Sequence, residues 1–365
     1  MFFGLSEEQL LIQESFRGHL TRSIDLDRIR KTAKSESGTD TPLRQELNDL
    51  GLPGLLISED FGGSGLQLID AAIVAIELGR SMAPVPFAAT FIMAPLALTL
   101  AGSPAQQAEW LPRLASGETT IGVALANYAS GTRRSDSVIN QNNRLNGKIP
   151  FALDAATADA FLIADTDGQL HLLRTGAPGV TVEVLPSIDG TRPLCTLHLE
   201  NADAEPLAKN SPEAIEAIIR AGRIILAAES FGAAEEMLDR AVAYAKERNQ
   251  FGRAIGSFQA IKHLCAEMAA ELQPCQSLVW YAAYAFDHLP EDAALSALLA
   301  KSHMDEVGRF VSRSAIEVHG GMGYTDLMGL HFWFKRIGFN RAQLGGPENL
   351  RAAAARLQGF VAPAA

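Results

Sequence analysis

With 365 residues, 47% of them hydrophobic and 20% charged, the chain can build a sizeable core across two or three domains, which excludes an intrinsically disordered protein. The formal charge of -11 excludes nucleic acid as the partner, because phosphate binding needs a basic face. An anionic ligand must therefore be held by local donors against the global field.

Met1 to Glu8 lacks a basic n-region followed by a long apolar run, so no signal or transit peptide is expected. The apolar stretch Phe91 to Ala101 is shorter than the roughly 20 residues that span a bilayer. A cytoplasmic protein with no membrane span is the expectation. Cys195, Cys265 and Cys275 lack metal-ligand spacing, so no metal site is expected; Cys265 and Cys275 read as small buried hydrophobes and all three as reduced thiols.

Residues 5–120 read as helices. Ser6 before Glu7, Glu8 and Gln9 is an N-cap with acids in the first turn, and Leu10, Leu11, Ile12 and Phe16 supply an apolar stripe. A short helix near Gln45 to Leu50 stops at Gly51. After the Gly-rich loop Ser58 to Gly65, Ile69 to Arg80 predicts an amphipathic helix.

From Thr119 to Pro206 the texture becomes that of strands. Ile121–Leu125, Phe161–Ala164, Leu170–Leu173 and Val180–Val184 are short, apolar or alternating, and bounded by Gly, Asp and Asn. The Asn146-Gly147 pair, within Asn142 to Lys148, predicts a tight hairpin turn. From Ser211 onward helical periodicity returns. Ser211-Pro212-Glu213 opens a helix, and His263–Phe286 and Ala293–Val318 give two more, the first with a kink expected at Pro274. Long helices of this kind suggest an antiparallel bundle. Lys335, Arg336 and Arg341 make one local basic group, read as a solvated helix face, and Tyr324, Trp280 and Trp333 are expected in cores.

Three motifs carry chemistry. Arg248-Asn249-Gln250-Phe251-Gly252 offers a guanidinium fork beside an aromatic; Phe258-Gln259 follows, and then Glu317-Val318-His319-Gly320-Gly321-Met322-Gly323-Tyr324, whose glycines permit close backbone approach. In this order and spacing they resemble the C-terminal signature of the flavin-dependent acyl-CoA dehydrogenases. The resemblance extends along the whole chain, and the family's middle domain has a similar leucine-asparagine-glycine-lysine stretch. It implies an α+β fold with an N-terminal helical domain (1–118), a middle β-rich, barrel-like domain (119–208) and a C-terminal four-helix-bundle domain (209–365).

The resemblance also implies FAD as cofactor and an acyl-CoA ester as substrate, dehydrogenated between its α and β carbons. It assigns cofactor binding to Arg248, Gln250, Phe251, Gln259, Glu317 (where the family usually has Gln), Gly320, Gly321 and Gly323. In the family these residues reach the adenosine and pyrophosphate of a flavin held mainly by a neighbouring subunit. Two departures stand out. The usual base, a Glu on the loop before the last helix, corresponds to Leu344, and the alternative location on an earlier helix corresponds to Gly222 within Arg220-Ala221-Gly222-Arg223. Neither residue can accept a proton, so no catalytic residue is assigned. Glu348 is close by, but it falls in the first turn of a helix opened by Pro347, where an acid complements the macrodipole.

The elements that face the flavin ring in the family are also altered, to Ala126 through Asp136 and to Phe151-Ala152-Leu153-Asp154. Retained adenosine contacts without base or ring contacts imply the non-base subunit of a heteromeric enzyme. Its partner would carry the Glu, its acceptor would be an electron-transfer flavoprotein, and its substrate would be a bulky acyl-CoA such as a steroid side chain. The alternatives are a self-sufficient homo-oligomer with an unrecognised base, an inactive acyl-CoA-binding scaffold, and a flavin oxidase or monooxygenase on the same fold.

Overall fold

A computed structural model describes residues 4–129, 138–142 and 144–360. Six helices come first: α1 (Glu7–Ser23), α2 (Leu26–Ala33), α3 (Thr41–Asp49), α4 (Leu68–Arg80), α5 (Ala94–Ala101) and α6 (Pro104–Ala115). A seven-residue π-helix, Phe87–Met93, leads into α5. The α1 start is a capping box: the Gln9 N–H donates to Ser6 Oγ at 3.2 Å while the Ser6 N–H donates to Gln9 Oε1 at 3.0 Å. Asp40 caps α3 with its side chain alone, taking the Leu43 N–H at 2.9 Å.

Among the described residues the middle of the chain forms eight strands: β1 (Ile121–Ala124), β2 (Ile139–Gln141), β3 (Arg144–Ala152), β4 (Ala160–Ala164), β5 (Leu170–Arg174), β6 (Val180–Leu185), β7 (Leu194–Asp203) and β8 (Glu205–Pro206). The short helix α7 (Ala126–Ala129) follows β1. The strands make two sheets, ordered β1-β4-β5-β8 and β2-β3-β7-β6, in which only β1 and β4 run parallel. Phe161, Ile163 and Leu173 of the first sheet pack with Leu145, Ile149, Cys195 and Leu197 of the second.

The last part is helical: α8 (Pro212–Glu247), α9 (Gln259–His288), α10 (Pro290–His319), α11 (Leu330–Ala342) and α12 (Pro347–Leu357). The Ala214 N–H donates to Ser211 Oγ at 3.2 Å, the expected start of α8. The order helical, β, helical is the α+β architecture expected. Backbone contacts group the residues into two compact units, one of 1–29, 72–83 and 224–365, the other of 30–71 and 84–223.

Several local expectations need correction. The helix α4 is not amphipathic: Leu68 and all ten residues Asp70–Gly79 are buried. Glu77, with a fully buried side chain, is held there by Arg17 of α1 at 2.7 Å. Period counting fails because both faces of the helix are covered. The Asn146-Gly147 pair is not a hairpin turn. It lies inside β3, at a register shift, where Asn146 Oδ1 accepts the Asn201 N–H at 2.7 Å. The β2–β3 hairpin closes earlier, Gln141 pairing with Arg144. Long pairing with β7 overrides the local turn preference.

Helices α4 and α8 approach backbone to backbone. A Cβ on Gly232 would lie 1.9 Å from the Ile76 carbonyl oxygen, and one on Gly79 would lie 2.0 Å from that of Glu229. Gly232→Ala must push the helices apart, at an expected cost of about 1–3 kcal/mol, measurable by urea denaturation. Unchanged stability would mean that the crossing yields easily.

Candidate functional site

Helix α8 ends at Glu247, and the chain then turns back on itself as a miniature hairpin of β9 (Asn249–Gln250) and β10 (Arg253–Ala254). Gln250 faces Arg253 and Asn249 faces Ala254; the Ile255 N–H donates to the Arg248 carbonyl at 2.8 Å, extending the ladder to the arginine. Both turn residues are left-handed, Phe251 at φ 52° and Gly252 at φ 76°, the dihedral signs of a type I′ turn. Glycine accepts that conformation freely, whereas a phenylalanine costs about 1–2 kcal/mol there. Yet Phe251 is 92% exposed, so burial of its ring within the chain does not offset the strain. Strain at an exposed aromatic points to a role outside the chain's own packing.

The hairpin is braced from below. Phe258 meets the edge of Phe251 at 6.2 Å between ring centroids, and the Arg253 guanidinium lies 4.1 Å over the Phe258 ring. Arg248, Gln250 and Gln259 are all exposed. Motif reading included Phe258 without its supporting role and missed Arg253. The two-residue turn was the available signal, since it places residue 253 opposite residue 250.

The Gly-rich turn closes α10. Gly320 has φ 59°, a left-handed position suited to glycine, and the turn Gly320–Tyr324 follows. Gly323 is buried, and a Cβ there would lie 2.6 Å from the Ile316 carbonyl oxygen. A Cβ on Gly321 would meet no atom of the chain within 4 Å, so internal packing makes no demand for glycine at that position. His319 is buried behind the turn. Its Nδ1–H donates to the Ala315 carbonyl at 2.7 Å and its ring stacks on Tyr244 of α8 at 4.4 Å, one turn before Arg248. Burial lowers its pKa, which favours the neutral ring. The stack thus links the Gly turn to the α8 end that bears the hairpin. Glu317 is exposed on the last turn of α10, and Tyr324, expected in a core, is 82% exposed. Trp333 is buried, its Nε1–H donating to the Arg80 carbonyl at 2.9 Å, whereas Trp280 is only half-buried.

The two base positions are without proton acceptors in their side chains. Leu344 follows α11 with φ 53° and is 5% exposed, an aliphatic side chain turned into the protein. Gly222 is buried within α8. Glu348 stands in the first turn of α12 and is shared by Arg341 at 3.3 Å and Arg351 at 3.9 Å; its structural role is therefore local charge pairing at a helix start. The basic group expected on a solvated helix face is divided. Arg336 is fully buried, donating to Glu229 at 2.6 Å, while Arg341 pairs with Glu306 at 2.9 Å. Asn340 donates to the other Glu229 oxygen at 2.9 Å, which completes a buried polar network across α8 and α11.

The segment Phe151–Asp154 works as a clamp. Phe151 and Asp154 are both left-handed, and Asp154 accepts the Ala89 N–H at 3.0 Å, capping the π-helix; Leu153 exchanges two backbone bonds with Val123 at 2.9 Å. Of the other altered segment, Ala126–Ala129 is α7, and 130–136 lies outside the described residues. The cysteines are unbridged. Burial pushes Cys195 up to about 11 and Cys275 up to about 12, whereas Cys265 is only half-buried. Among the described residues no cluster could hold a metal ion, and no helix is long and apolar enough to cross a membrane.

Two family models match the chain, the acyl-CoA dehydrogenase N-terminal domain over residues 6–118 and the acyl-CoA dehydrogenase C-terminal domain over residues 213–357. The chain is 31% identical to the acyl-CoA dehydrogenase IpdE2 of Mycolicibacterium smegmatis, over 95% of this chain and 98% of the relative. It is 32% identical to the IpdE2 of Mycobacterium tuberculosis, over 94% and 95% respectively. Among solved structures, the Tcur3481-Tcur3483 steroid ACAD superposes with a TM-score of 0.88 at 29% identity, covering 97% of this chain and 98% of that one. The ChsE4-ChsE5 complex from Mycobacterium tuberculosis shares the fold, with a TM-score of 0.91, 24% identity and full coverage of both chains. On these matches the chain belongs to the acyl-CoA dehydrogenase family.

Proposed function

We propose that the chain is the non-base subunit of a heteromeric, FAD-dependent acyl-CoA dehydrogenase in the cytoplasm, acting on a bulky acyl-CoA ester. The carrying observation is the buried, left-handed Leu344 at the usual base position. An aliphatic side chain there cannot take the α proton, and Gly222 offers none at all. On this reading a carboxylate from another chain does so.

The donor set fits the adenosine and pyrophosphate end of FAD. Arg248 presents an exposed guanidinium suited to a diphosphate, Gln250 and Gln259 present amides, Phe251 an aromatic face, and Gly321 an uncrowded backbone; Glu317 and Gly323 belong to the same turn region. Phe251 and Arg248 are displayed outward, as residues completing a partner's site would be. When bound, FAD supplies the acceptor for the β hydride. This chain's part is to hold the diphosphate and fix the cofactor's position, leaving the α proton to the partner's Glu. The paired chain names of the steroid ACAD and of the ChsE4-ChsE5 complex support a hetero-oligomer, and the steroid ACAD supports a steroid-derived acyl group. An electron-transfer flavoprotein is the proposed acceptor.

The test is visible absorbance. The chain purified alone is expected to be colourless and inactive, and its complex with a Glu-bearing partner yellow and active. A homomer with one flavin per chain and full turnover would refute the assignment.

A further inference from the structure

Arg240, Tyr244 and Arg248 follow one another at four-residue spacing, so they line one face of α8 and of the residue that ends it. The Arg248 N–H donates to the Tyr244 carbonyl at 2.8 Å, which fixes the start of the hairpin to that turn of helix. Arg240 is held one turn earlier, its guanidinium 4.2 Å over the Trp333 ring of α11 and its Nε–H on Glu236 at 2.7 Å. Against Tyr244 lies His319, the last residue of α10, with ring centroids 4.4 Å apart and planes within 25°. The Gly turn folds back onto the same histidine: a Cβ on Gly323 would lie 3.1 Å from the His319 Cβ. One side chain thus touches both the α8 turn that bears Arg248 and the turn Gly320–Tyr324.

His319 is 3% exposed, and its Nε2 is buried with no partner among the described residues. Burial opposes protonation and the Arg240 charge adds to it, so Nε2 stays bare. Neither a charge nor a second hydrogen bond accounts for a histidine here; its ring fills the space between Tyr244 and the turn. Gly320 enters the turn at φ 59° and ψ -139°, a backbone state that a residue with a side chain rarely adopts, and Gly321 meets no atom of the chain. No side chain between His319 and Met322 can therefore steady the backbone.

We propose that His319 is a positioning residue of the cofactor site, a neutral wedge between Tyr244 and Gly323 that sets the Gly320–Tyr324 turn against Arg248 so that both hold one ligand. The ligand rests on the FAD reading; the wedge does not. A ligand held at two points binds more tightly when the points are fixed at its own span, because the second contact is then made at high effective concentration. Loosening the turn removes that advantage even though His319 touches no part of the ligand. Two residues that act on one ligand in this way are energetically coupled without being in contact.

Hydrogen exchange of the full chain alone reads the wedge without any cofactor. His319→Leu should speed exchange of the amides of 320–325 about tenfold, whereas His319→Phe, which keeps the ring and loses only the Ala315 bond, should stay near the wild type. Tyr244→Leu removes the same stack from α8 and should reproduce the loosening, which keeps the test open if the His319 variant misfolds. Wild-type exchange in both leucine variants, or His319→Phe as loose as His319→Leu, would overturn the proposal. In the complex with the Glu-bearing partner, His319→Leu should weaken FAD about tenfold and riboflavin not at all. Combined with Arg248→Met, the loss should fall short of the product of the two single losses. A full product would overturn the proposal, since the two residues would then act separately. Faster exchange in the leucine variants, with FAD affinity unchanged in both His319→Leu and Arg248→Met, would overturn the flavin reading and leave the wedge standing.

Discussion

Asp305→Ala is expected to destabilise the protein by about 3–5 kcal/mol, while Lys301→Met/Asp305→Leu together should recover most of that loss or exceed the wild type. The two residues are one turn apart on α10, both side chains fully buried, with Lys301 Nζ donating to both Asp305 oxygens at 2.6 Å. Removing the carboxylate strands an ammonium in the interior, whereas removing both charges abolishes two desolvation costs at once. The pair also carries a pH signature. Burial pushes the Asp305 carboxyl up to about 6, outweighing the pull of Lys301. Because the folded-state value lies above the ordinary one, the associated stability is full below the ordinary aspartate value and is lost as pH rises through about 6. Chemical denaturation from pH 4 to pH 7 should therefore show a fall in the wild type that is missing in the double variant. Equal stability of Asp305→Ala and wild type would refute the cost assigned to losing the carboxylate partner of Lys301.

Arg248→Met, in the complex with the Glu-bearing partner, is expected to weaken FAD binding by about 10- to 100-fold while leaving riboflavin binding unchanged. The reasoning is chemical: riboflavin lacks the diphosphate that a guanidinium fork would grip, so only FAD should feel the loss. The variant should fold normally, because Arg248 is exposed and the Ile255 N–H bonds its backbone carbonyl, which the substitution keeps. Flavin fluorescence titration gives both affinities. Parallel weakening of FAD and riboflavin would assign the effect to a collapsed hairpin, and no weakening at all would remove Arg248 from the cofactor site.

How much of this was legible in advance differs from element to element. The Ser6 N-cap, the start of α8 at Ser211-Pro212 and the four short strands were readable because each depends on neighbours in sequence. The signature Arg248, Phe251-Gly252 and Gly320-Gly321-Met322-Gly323 was readable as a motif, and so was the lack of a side-chain acceptor at Leu344 and Gly222. The π-helix and the length of β3 and β7 were not, since their registers are set by distant partners.

Residue order by itself determined the family, the α+β sequence of domains and which chemistry this chain's side chains cannot perform. Only the tertiary structure decided which charges are buried. Arg336 was one of three basic residues on a helix until Glu229 and Asn340 closed around it, and α4 passed as amphipathic until its second face was covered. Tyr324 and Phe251 went the other way, aromatic rings left at the surface. Burial is set by what approaches from elsewhere in the chain, and a dielectric environment is a property of that approach rather than of the residue that experiences it.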